Sequence, residues 1–244
     1  MNKLDIYHTF ISIITFKEVL NVIVHNNEEQ AKYVCLTDIN VLVDSFKNEK
    51  LRNALNSAFL NLPDGKSIEL YSRLKGVKHL KTISGYWLLL ELLKTNKRHV
   101  FYGANSEKLL KIKLFVEKQY PNAHVLEYKE PPIIDITNIK ENNRIKLDIV
   151  EINKLNPDVV WIGVGGVKQD ILMHEYCKYL DAAFMIGVGA VFDYISGDVK
   201  KSPEWIKKIY LRWLYRAIFS PNKEKTKRQL KNMAIFLYKI LKNG

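Results

Sequence analysis

Short apolar runs alternate with longer amphipathic segments along the first part of the chain. A β-rich run covers about Ile6 to Ile14, and Thr15 with Glu18 forms the capping-box pattern that starts a helix. Tyr33 to Leu36 predicts a second strand, and residues 41–58 carry apolar side chains at helical spacing. The segment LNLPDG at 60–65 ends that pattern, because proline and Asp-Gly disfavour the interior of a helix or a strand.

The same order of strand and helix returns further along the chain. His99 to Tyr102 predicts a strand, and Glu107 to Gln119 predicts the helix that follows it. Residues 158–163 and 182–187 are continuous apolar runs that end in glycine, a pattern typical of parallel strands buried on both faces. These elements predict an α/β fold with a partly parallel sheet flanked by helices. Ligands of such sheets bind at the carboxyl ends of the strands.

The pattern changes at Pro203, where two basic amphipathic helices are predicted with a break at Pro221-Asn222. We therefore divide the chain into a body of residues 1–200 and a helical appendage of residues 201–244. Apolar side chains form one stripe on each predicted helix. In the first helix they are Trp205, Ile206, Ile209, Tyr210, Trp213, Leu214, Ala217 and Ile218, and in the second Leu230, Met233, Ala234, Leu237, Ile240 and Leu241.

The positive charge of the chain is concentrated in this appendage. The net charge is +12, and residues 200–244 hold thirteen Lys and Arg against two Glu. Such a segment requires an anionic partner, which the charge alone leaves open between lipid headgroups, nucleic acid and a phosphorylated substrate. Cys35 and Cys177 are far apart, which indicates a reducing compartment and no disulfide. Without a signal-peptide pattern or an apolar run of about 18 residues, we expect a cytoplasmic protein whose membrane contact is peripheral.

Three local motifs are candidates for chemistry. Residues 163–169, GVGGVKQ, follow a predicted strand, but Lys168 replaces the third glycine of a dinucleotide fingerprint. A diphosphate or sugar site and a plain strand-to-helix turn are equally compatible with this motif. Asp64 in LPDG by itself favours a turn. Asp193, flanked by aromatic residues after an apolar strand, suits a site or a helix cap. The six histidines lack metal-ligand spacing, and we predict no metal and no cofactor.

Four motifs occur in a characteristic order: LPDG, GVGGVKQ, GVGAVFDYISGDVKKSPEW at 187–205, and LRWLYR at 211–216. Together they resemble the WecG/TagA/CpsF family of bacterial glycosyltransferases over nearly the whole chain. The resemblance implies a Rossmann-like, inverting and metal-independent enzyme. Such an enzyme moves a sugar from a UDP-sugar donor to a polyprenyl-diphosphate-linked acceptor. Its appendage is expected to bind the anionic surface of the membrane on the cytoplasmic face.

The resemblance also assigns roles to residues. Asp64 becomes the candidate general base, Gln169 is expected near the donor sugar and Asp193 near the nucleotide. Gly187 and Gly189 would let the backbone approach the UDP-sugar, and Arg212 or Arg216 would close over the diphosphate leaving group. Further candidate substrate-binding residues are Asp38, Asn40, Gly65, Lys81, Thr82 and Lys168.

This chain departs from the family pattern at three places. The family's Thr-x-Asn falls on Leu36 and Asp38, although Thr37 and Asn40 lie beside them. The family's arginine falls on Thr82, next to Lys81, and residues 127–132 replace a glycine and aromatic motif. These are sugar- and phosphate-side positions. The donor therefore stays open between N-acetylmannosamine and another sugar, including other N-acetylhexosamines.

Two other functions are compatible with part of the sequence. A nucleic-acid-binding protein would use the basic appendage, but the nearly neutral body and the LPDG motif do not favour it, and we expect no nucleic-acid partner. A non-catalytic partner subunit of a glycosyltransferase would explain the departures at positions 36, 38 and 82. Self-association into a homo-oligomer is compatible with every one of these functions.

Overall fold

A central parallel β-sheet organises the computed structural model, which describes residues 2–26, 30–181, 183–199 and 223–243. Within these residues six strands pair in the order β4-β3-β8-β7-β5-β6, and every pair is parallel. The predicted α/β class with a parallel sheet is confirmed. The strands are β3 (Lys32–Thr37), β4 (Leu60–Pro63), β5 (Arg98–Tyr102), β6 (His124–Lys129), β7 (Val159–Ile162) and β8 (Phe184–Gly187).

Helices cover both faces of the sheet. The described helices are α1 (Phe16–Val24), α2 (Ile39–Ser45), α3 (Glu49–Ser57), α4 (Lys66–Leu74), α5 (Gly85–Leu92), α6 (Ser106–Gln119), α7 (Asn143–Leu155), α8 (Gly166–Tyr176), α9 (Val191–Ile195) and α10 (Lys223–Asn243), with 3-10 turns at Ile139–Glu141 and Cys177–Tyr179. One core cluster joins the sheet to α1, α5, α6 and α9. A second cluster joins the opposite face to α3, α7 and α8. The apolar strand runs are therefore buried on both sides, as a parallel sheet requires.

The start of the chain is a β-hairpin, where we predicted one strand. β1 (Lys3–Ile6) pairs antiparallel with β2 (Thr9–Ser12) in a separate two-stranded sheet. The turn residues Tyr7 and His8 have φ angles of 51° and 66°, so an unusual backbone there interrupts the β pattern. The predicted capping box of α1 is confirmed, since Thr15 accepts from the backbone of Glu18 and the Glu18 carboxylate accepts from the backbone of Thr15.

Two further segments differ from their sequence patterns, one by a break within a helical region and one by forming a strand. Residues 41–58 form α2 and α3, because the side chain of Asn48 accepts from the backbone N–H of Leu51 and starts a new helix. Leu60–Pro63, predicted to lie outside regular structure, is the edge strand β4. Pro63 is tolerated because it is the last residue of a strand that has one neighbour in the sheet.

The C-terminal helix α10 packs on the body of the protein. Met233 and Phe236 are buried in a third core cluster with residues of the hairpin, α2 and α4, and the Phe236 ring lies 5.6 Å from that of Tyr71. The predicted helix is confirmed, but its buried face is narrower than its apolar stripe, because Leu237 and Leu241 are exposed. The first appendage helix, with Arg212 and Arg216, lies outside the described residues. No helix in the described ranges is long and apolar enough to cross a membrane.

Candidate active site

A cleft of about 270 Å³ opens at the carboxyl ends of β4, β3, β8 and β7. The turns that follow these four strands meet here with residues 84–86 and 228–229. This edge is the usual place for a ligand in a parallel sheet. Seven of the predicted site residues line this cleft: Asp38, Asn40, Asp64, Gln169, Gly187, Gly189 and Asp193.

Asp64 stands directly after β4, at the point where the chain turns into α4. Its backbone N–H donates to the carbonyl of Thr37 at 2.8 Å, which extends the pairing of β4 with β3 by one residue. Gly65, with φ of 105°, then redirects the chain before α4 begins at Lys66. Asp64 is half-buried in the cleft wall. A carboxylate in this position is partly shielded from water and still accessible to a ligand.

Asp38 and Asn40 occupy the wall beside Asp64. Oδ1 of Asp38 accepts from the backbone N–H groups of Asn40 and Val41 and thereby caps α2, while its Oδ2 accepts from the Asn40 side chain. Thr37, which a shifted alignment would place here, is buried and donates to Asn61 Oδ1 at 2.6 Å. Asn40 therefore fits the expected amide position, whereas Thr37 does not reach the cleft.

Gln169 approaches the cleft from the first turn of α8, and two glycines leave room for it. A Cβ atom at position 187 would lie 3.0 Å from Gln169 Nε2, and one at position 189 would lie 3.2 Å from Gln169 Oε1. Among the described residues, Gln169 Oε1 and Asn40 Oδ1 are buried without a hydrogen-bond partner. Buried acceptors are rarely left unsatisfied, so both atoms indicate a place for ligand hydroxyl or amide donors.

Asp193 enters the cleft from α9 and is held by α6. Nζ of Lys108 lies 2.5 Å from Asp193 Oδ1 and 3.3 Å from Asp198 Oδ2. Burial lowers the pKa of Lys108, but the hydrogen bonds and charges of the two aspartates outweigh burial and leave this pKa above its ordinary value. Lys108 is therefore a cation at neutral pH, and it fixes the Asp193 carboxylate in one orientation.

Four predicted site residues do not line this cleft. Gly65 is next to Asp64 in the chain, and Lys168 lines a neighbouring cavity. Lys81 and Thr82 instead contact Glu69 of α4: Thr82 donates to Glu69 through its backbone and its hydroxyl, and Lys81 lies 3.6 Å from Glu69 Oε1.

The buried carboxylate of Glu69 also holds two other cations. Lys66 lies 2.7 Å from Oε2, and Arg73 lies 2.8 Å from Oε1. Burial raises the pKa of Glu69, but hydrogen bonds from Lys66 and Thr82 outweigh burial and lower it to about 2. Glu69 therefore organises a positively charged surface beside Asp64, and Thr82 is tied into that surface where the resemblance expects an arginine.

Several cleft residues were not identified from the sequence. Ser84, Tyr86, Tyr194 and Arg228 line the cleft, and Lys108 supports it. Tyr194 is one of the aromatic residues that flank Asp193, and Arg228 is one of the basic residues of the C-terminal segment. Lys108 has no local signal, because its partner is 85 residues away. Asp170, next to Gln169, is fully buried, and burial raises its pKa to about 8.

The chemical groups of the cleft are a carboxylate at Asp64, amides at Asn40 and Gln169, a paired carboxylate at Asp193 and a cation at Arg228. In the part of the chain that the structure describes, His, Cys, Asp and Glu form no group of three that would hold a metal ion. This set suits hydrogen bonding to a sugar and removal of a proton from a hydroxyl group.

Comparison with known proteins agrees with this chemistry. The model of the glycosyl transferase WecG/TagA/CpsF family matches residues 4–244. A protein of Bacillus subtilis (strain 168) named N-acetylglucosaminyldiphosphoundecaprenol N-acetyl-beta-D-mannosaminyltransferase is 30% identical over 203 residues, or 82% of this chain and 76% of the relative. Proteins of the same name are 30% identical in Staphylococcus aureus (strain NCTC 8325 / PS 47), over 77% of this chain and 71% of the relative, and 25% identical in Bacillus spizizenii (strain ATCC 23059 / NRRL B-14472 / W23), over 80% and 74%. With its motifs, its cleft and these matches in agreement, the chain belongs to the WecG/TagA/CpsF family and is a glycosyltransferase.

Proposed function

We propose that this enzyme transfers a sugar, of the N-acetylhexosamine type, from a UDP-sugar to a polyprenyl-diphosphate-linked saccharide with inversion at the anomeric carbon. The product would enter the synthesis of a bacterial cell-surface polysaccharide. The names of the relatives support the acceptor class, since each includes an N-acetylglucosaminyl diphosphate attached to undecaprenol. They also support N-acetylmannosamine as the first donor sugar to test.

One observation carries the proposal: the Asp64 carboxylate shares a cleft with three buried acceptors that have no partner among the described residues, Asn40 Oδ1, Gln169 Oε1 and Gln229 Oε1. Hydroxyl and N-acetyl groups of a sugar supply the donors that these oxygens lack. A sugar held there would place its anomeric carbon in the same enclosed space as a candidate base.

The proposed step is a single displacement. The acceptor hydroxyl gives its proton to Asp64 while its oxygen forms a bond to the anomeric carbon. The bond from that carbon to the UDP oxygen breaks on the opposite side, and UDP leaves with the electron pair. Attack opposite to the leaving group inverts the anomeric configuration.

Positive charge stabilises the diphosphate of the leaving UDP. The family resemblance leads us to expect this charge from side chains of the protein. Arg228 lines the cleft and is a candidate for this role. Arg212 and Arg216, outside the described residues, are the further candidates that the family resemblance provides. We propose that the reaction needs no metal ion and no cofactor, and that activity persists in EDTA.

We also propose that residues 201–244 bring the enzyme to the anionic cytoplasmic surface of the membrane. Residues 200–244 hold thirteen basic and two acidic side chains. Each basic side chain near an anionic surface contributes about 1 kcal/mol. The exposed side chains of Leu237, Tyr238 and Leu241 on α10 add apolar area that the interfacial region of a bilayer accepts.

The test is release of UDP from a panel of UDP-N-acetylhexosamines, with and without N-acetylglucosaminyl diphosphate attached to a short prenyl chain. We expect UDP release only with the acceptor, and a product whose anomeric configuration by NMR is opposite to that of the donor. Asp64→Asn should lower the turnover by about 10²- to 10⁴-fold without changing the melting temperature. Asp181→Asn, an exposed change remote from the cleft, is the control. Retention of configuration, or full activity of Asp64→Asn, would overturn the mechanism.

A further inference from the structure

A second cavity lies between α2, α10 and the turn that precedes α8, and we call it the α2/α10 groove. Its volume is about 970 Å³, more than three times that of the active-site cleft. The two cavities share Val164, Gly165, Gly166 and Arg228 as lining residues. A ligand longer than one sugar can therefore extend from the cleft into the groove.

The floor of the groove is apolar. Val43 is 5% exposed, and the neighbouring Phe46 packs edge-on against Tyr7 at 5.2 Å between ring centroids. Burial of apolar ligand surface here would strengthen binding. The apolar lining residues are Val43, Phe46, Ile136, Val164, Val167 and Ile235.

The rim of the groove is basic. Its cationic lining residues are Lys47, Lys168, Arg228, Lys231 and Lys239. Among the described lining residues the one carboxylate is Asp44, which accepts a hydrogen bond from Asn232 at 3.1 Å. Burial raises the pKa of Asp44, and the Asn232 hydrogen bond offsets only part of that effect. The groove therefore attracts a ligand that is anionic at one end and apolar along its length.

The cations are unevenly placed along the groove. Arg228 lines both cavities, Lys231 follows one helical turn later on α10, and Lys168 directly precedes Gln169 of the cleft. At the other end, Nζ of Lys239 lies 4.7 Å from the Tyr7 ring and 5.0 Å from the Phe46 ring. The end nearest the cleft thus has the cations best placed for phosphate oxygens.

We propose that the α2/α10 groove binds the lipid diphosphate of the acceptor, an inference that rests on the proposed function. The diphosphate would contact Lys168 and Lys231, and the first isoprene units would cover the apolar floor. Arg228, which lines both cavities, remains the candidate for the diphosphate of the leaving UDP. Asp193 lies on α9, on the opposite face of the sheet from α8. The nucleotide and the acceptor lipid therefore approach the cleft from different sides, which leaves both reacting groups room to meet at Asp64.

Direct binding tests this inference without glycosyl transfer. Calorimetric titration of the full chain would use farnesyl diphosphate, inorganic diphosphate and farnesol in detergent below its micellar concentration. We expect farnesyl diphosphate to bind at least about tenfold more tightly than either other compound, since charge and apolar burial both contribute. Lys231→Glu should weaken the binding of farnesyl diphosphate and of inorganic diphosphate to a similar degree. Lys118→Glu, a matched reversal on α6 away from both cavities, should change neither.

The apolar floor is tested by Ile235→Asn and by Ile136→Asn, which lies outside regular helix and strand. Each variant should weaken the binding of farnesyl diphosphate by about fivefold or more and leave the binding of inorganic diphosphate unchanged. Melting curves identify any variant that does not fold, and the two positions are independent. Equal binding of farnesyl and inorganic diphosphate would overturn the proposal. So would unchanged binding in Lys231→Glu, or self-association that buries the groove in sedimentation experiments.

The outcomes separate this inference from the proposed function. Sugar transfer with wild-type kinetics in Lys231→Glu and Ile136→Asn would overturn the groove as the acceptor site and leave the transferase activity intact. Specific binding of farnesyl diphosphate in an enzyme that releases no UDP with any lipid-linked acceptor would overturn the proposed function and support the groove.

Discussion

The ammonium group of Lys108 lies 2.5 Å from Oδ1 of Asp193, although 85 residues separate them in the chain. Lys108 belongs to α6 and Asp193 to α9, and these helices pack together on one face of the sheet. The carboxylate that faces the cleft is therefore oriented by a side chain that does not line the cleft. Lys108 is a positioning residue for Asp193.

We predict that Lys108→Met raises the KM for the UDP-sugar by about tenfold, because loss of the ion pair releases Asp193 from its orientation. Asp193→Asn should have a similar effect, and the double variant should be less than additive in initial-rate measurements. Lys111→Met is the control, because Lys111 pairs with Asp198 and Glu107 and does not touch Asp193. Full additivity would contradict a shared role.

A methyl group at position 187 should disturb the active site through Gln169. It would lie 3.0 Å from Gln169 Nε2 and 2.6 Å from Met173 Cε, so both side chains must move. We predict that Gly187→Ala lowers kcat/KM by at least about tenfold and destabilises the fold by about 1–3 kcal/mol. The measurement is steady-state kinetics with urea unfolding.

The Gln169→Ala background separates the two effects of that methyl group. If Gly187→Ala acts on catalysis through the amide, it should reduce activity little further when the amide is already absent. The loss of stability should persist, because Met173 must still move. An equal loss of activity in both backgrounds would show that Gln169 is not the route.

Asp170 should make the protein less stable as pH rises from about 4 to about 8. Burial raises its pKa to about 8, far above the value of a carboxyl in the unfolded chain. Between these two values the folded protein holds one proton more than the unfolded protein. The free energy of unfolding therefore falls as pH rises toward 8, by up to about 1.4 kcal/mol per unit.

Asp170→Asn removes this titration and keeps the size of the side chain. We predict that the stability of the variant relative to the wild type increases from pH 4 to pH 8, by up to about 1.4 kcal/mol per pH unit, and levels off by pH 9. Urea unfolding at a series of pH values measures the effect. A pH-independent difference would contradict the assignment.

Glu69 should have the opposite dependence. Its pKa is lowered to about 2 by Lys66 and Thr82 against the effect of burial, so its contribution is complete above about pH 4.5 and is lost as pH falls toward 2. We predict that Glu69→Gln costs about 1–3 kcal/mol at pH 7 and progressively less in acid. Glu91→Gln, which removes an exposed pair with Lys94, should cost less than about 1 kcal/mol.

The fold class and several elements were predictable because they depend on local patterns. The apolar runs at β7 and β8, each followed by a glycine, indicated strands buried on both faces. The capping box at Thr15 and Glu18 predicted the start of α1 from hydrogen bonds within one turn. The sequence pattern did not predict β4. Pro63 is tolerated there because β4 lies at the edge of the sheet, and that place depends on the strand order.

Five residues to which the family resemblance gives roles, Asp64, Gln169, Gly187, Gly189 and Asp193, line one cavity. Their roles stay predictions. The resemblance did not predict the partners of these residues. Thr82 bonds to Glu69. Thr37, the last residue of β3, donates to Asn61, whereas Asn40, in the first turn of α2, lines the cleft.

By itself the sequence determined the alternation of strands and helices, the glycine turns at the strand ends, the family and the basic C-terminal segment. Each of these depends on residue type and spacing within about one element. Only the tertiary structure decided that Lys108 holds Asp193, that α10 buries Met233 and Phe236 against the body, and that a basic groove continues from the cleft. The physical reason is that such contacts arise from the order in which parallel strands pair, which brings distant segments together at one edge of the sheet.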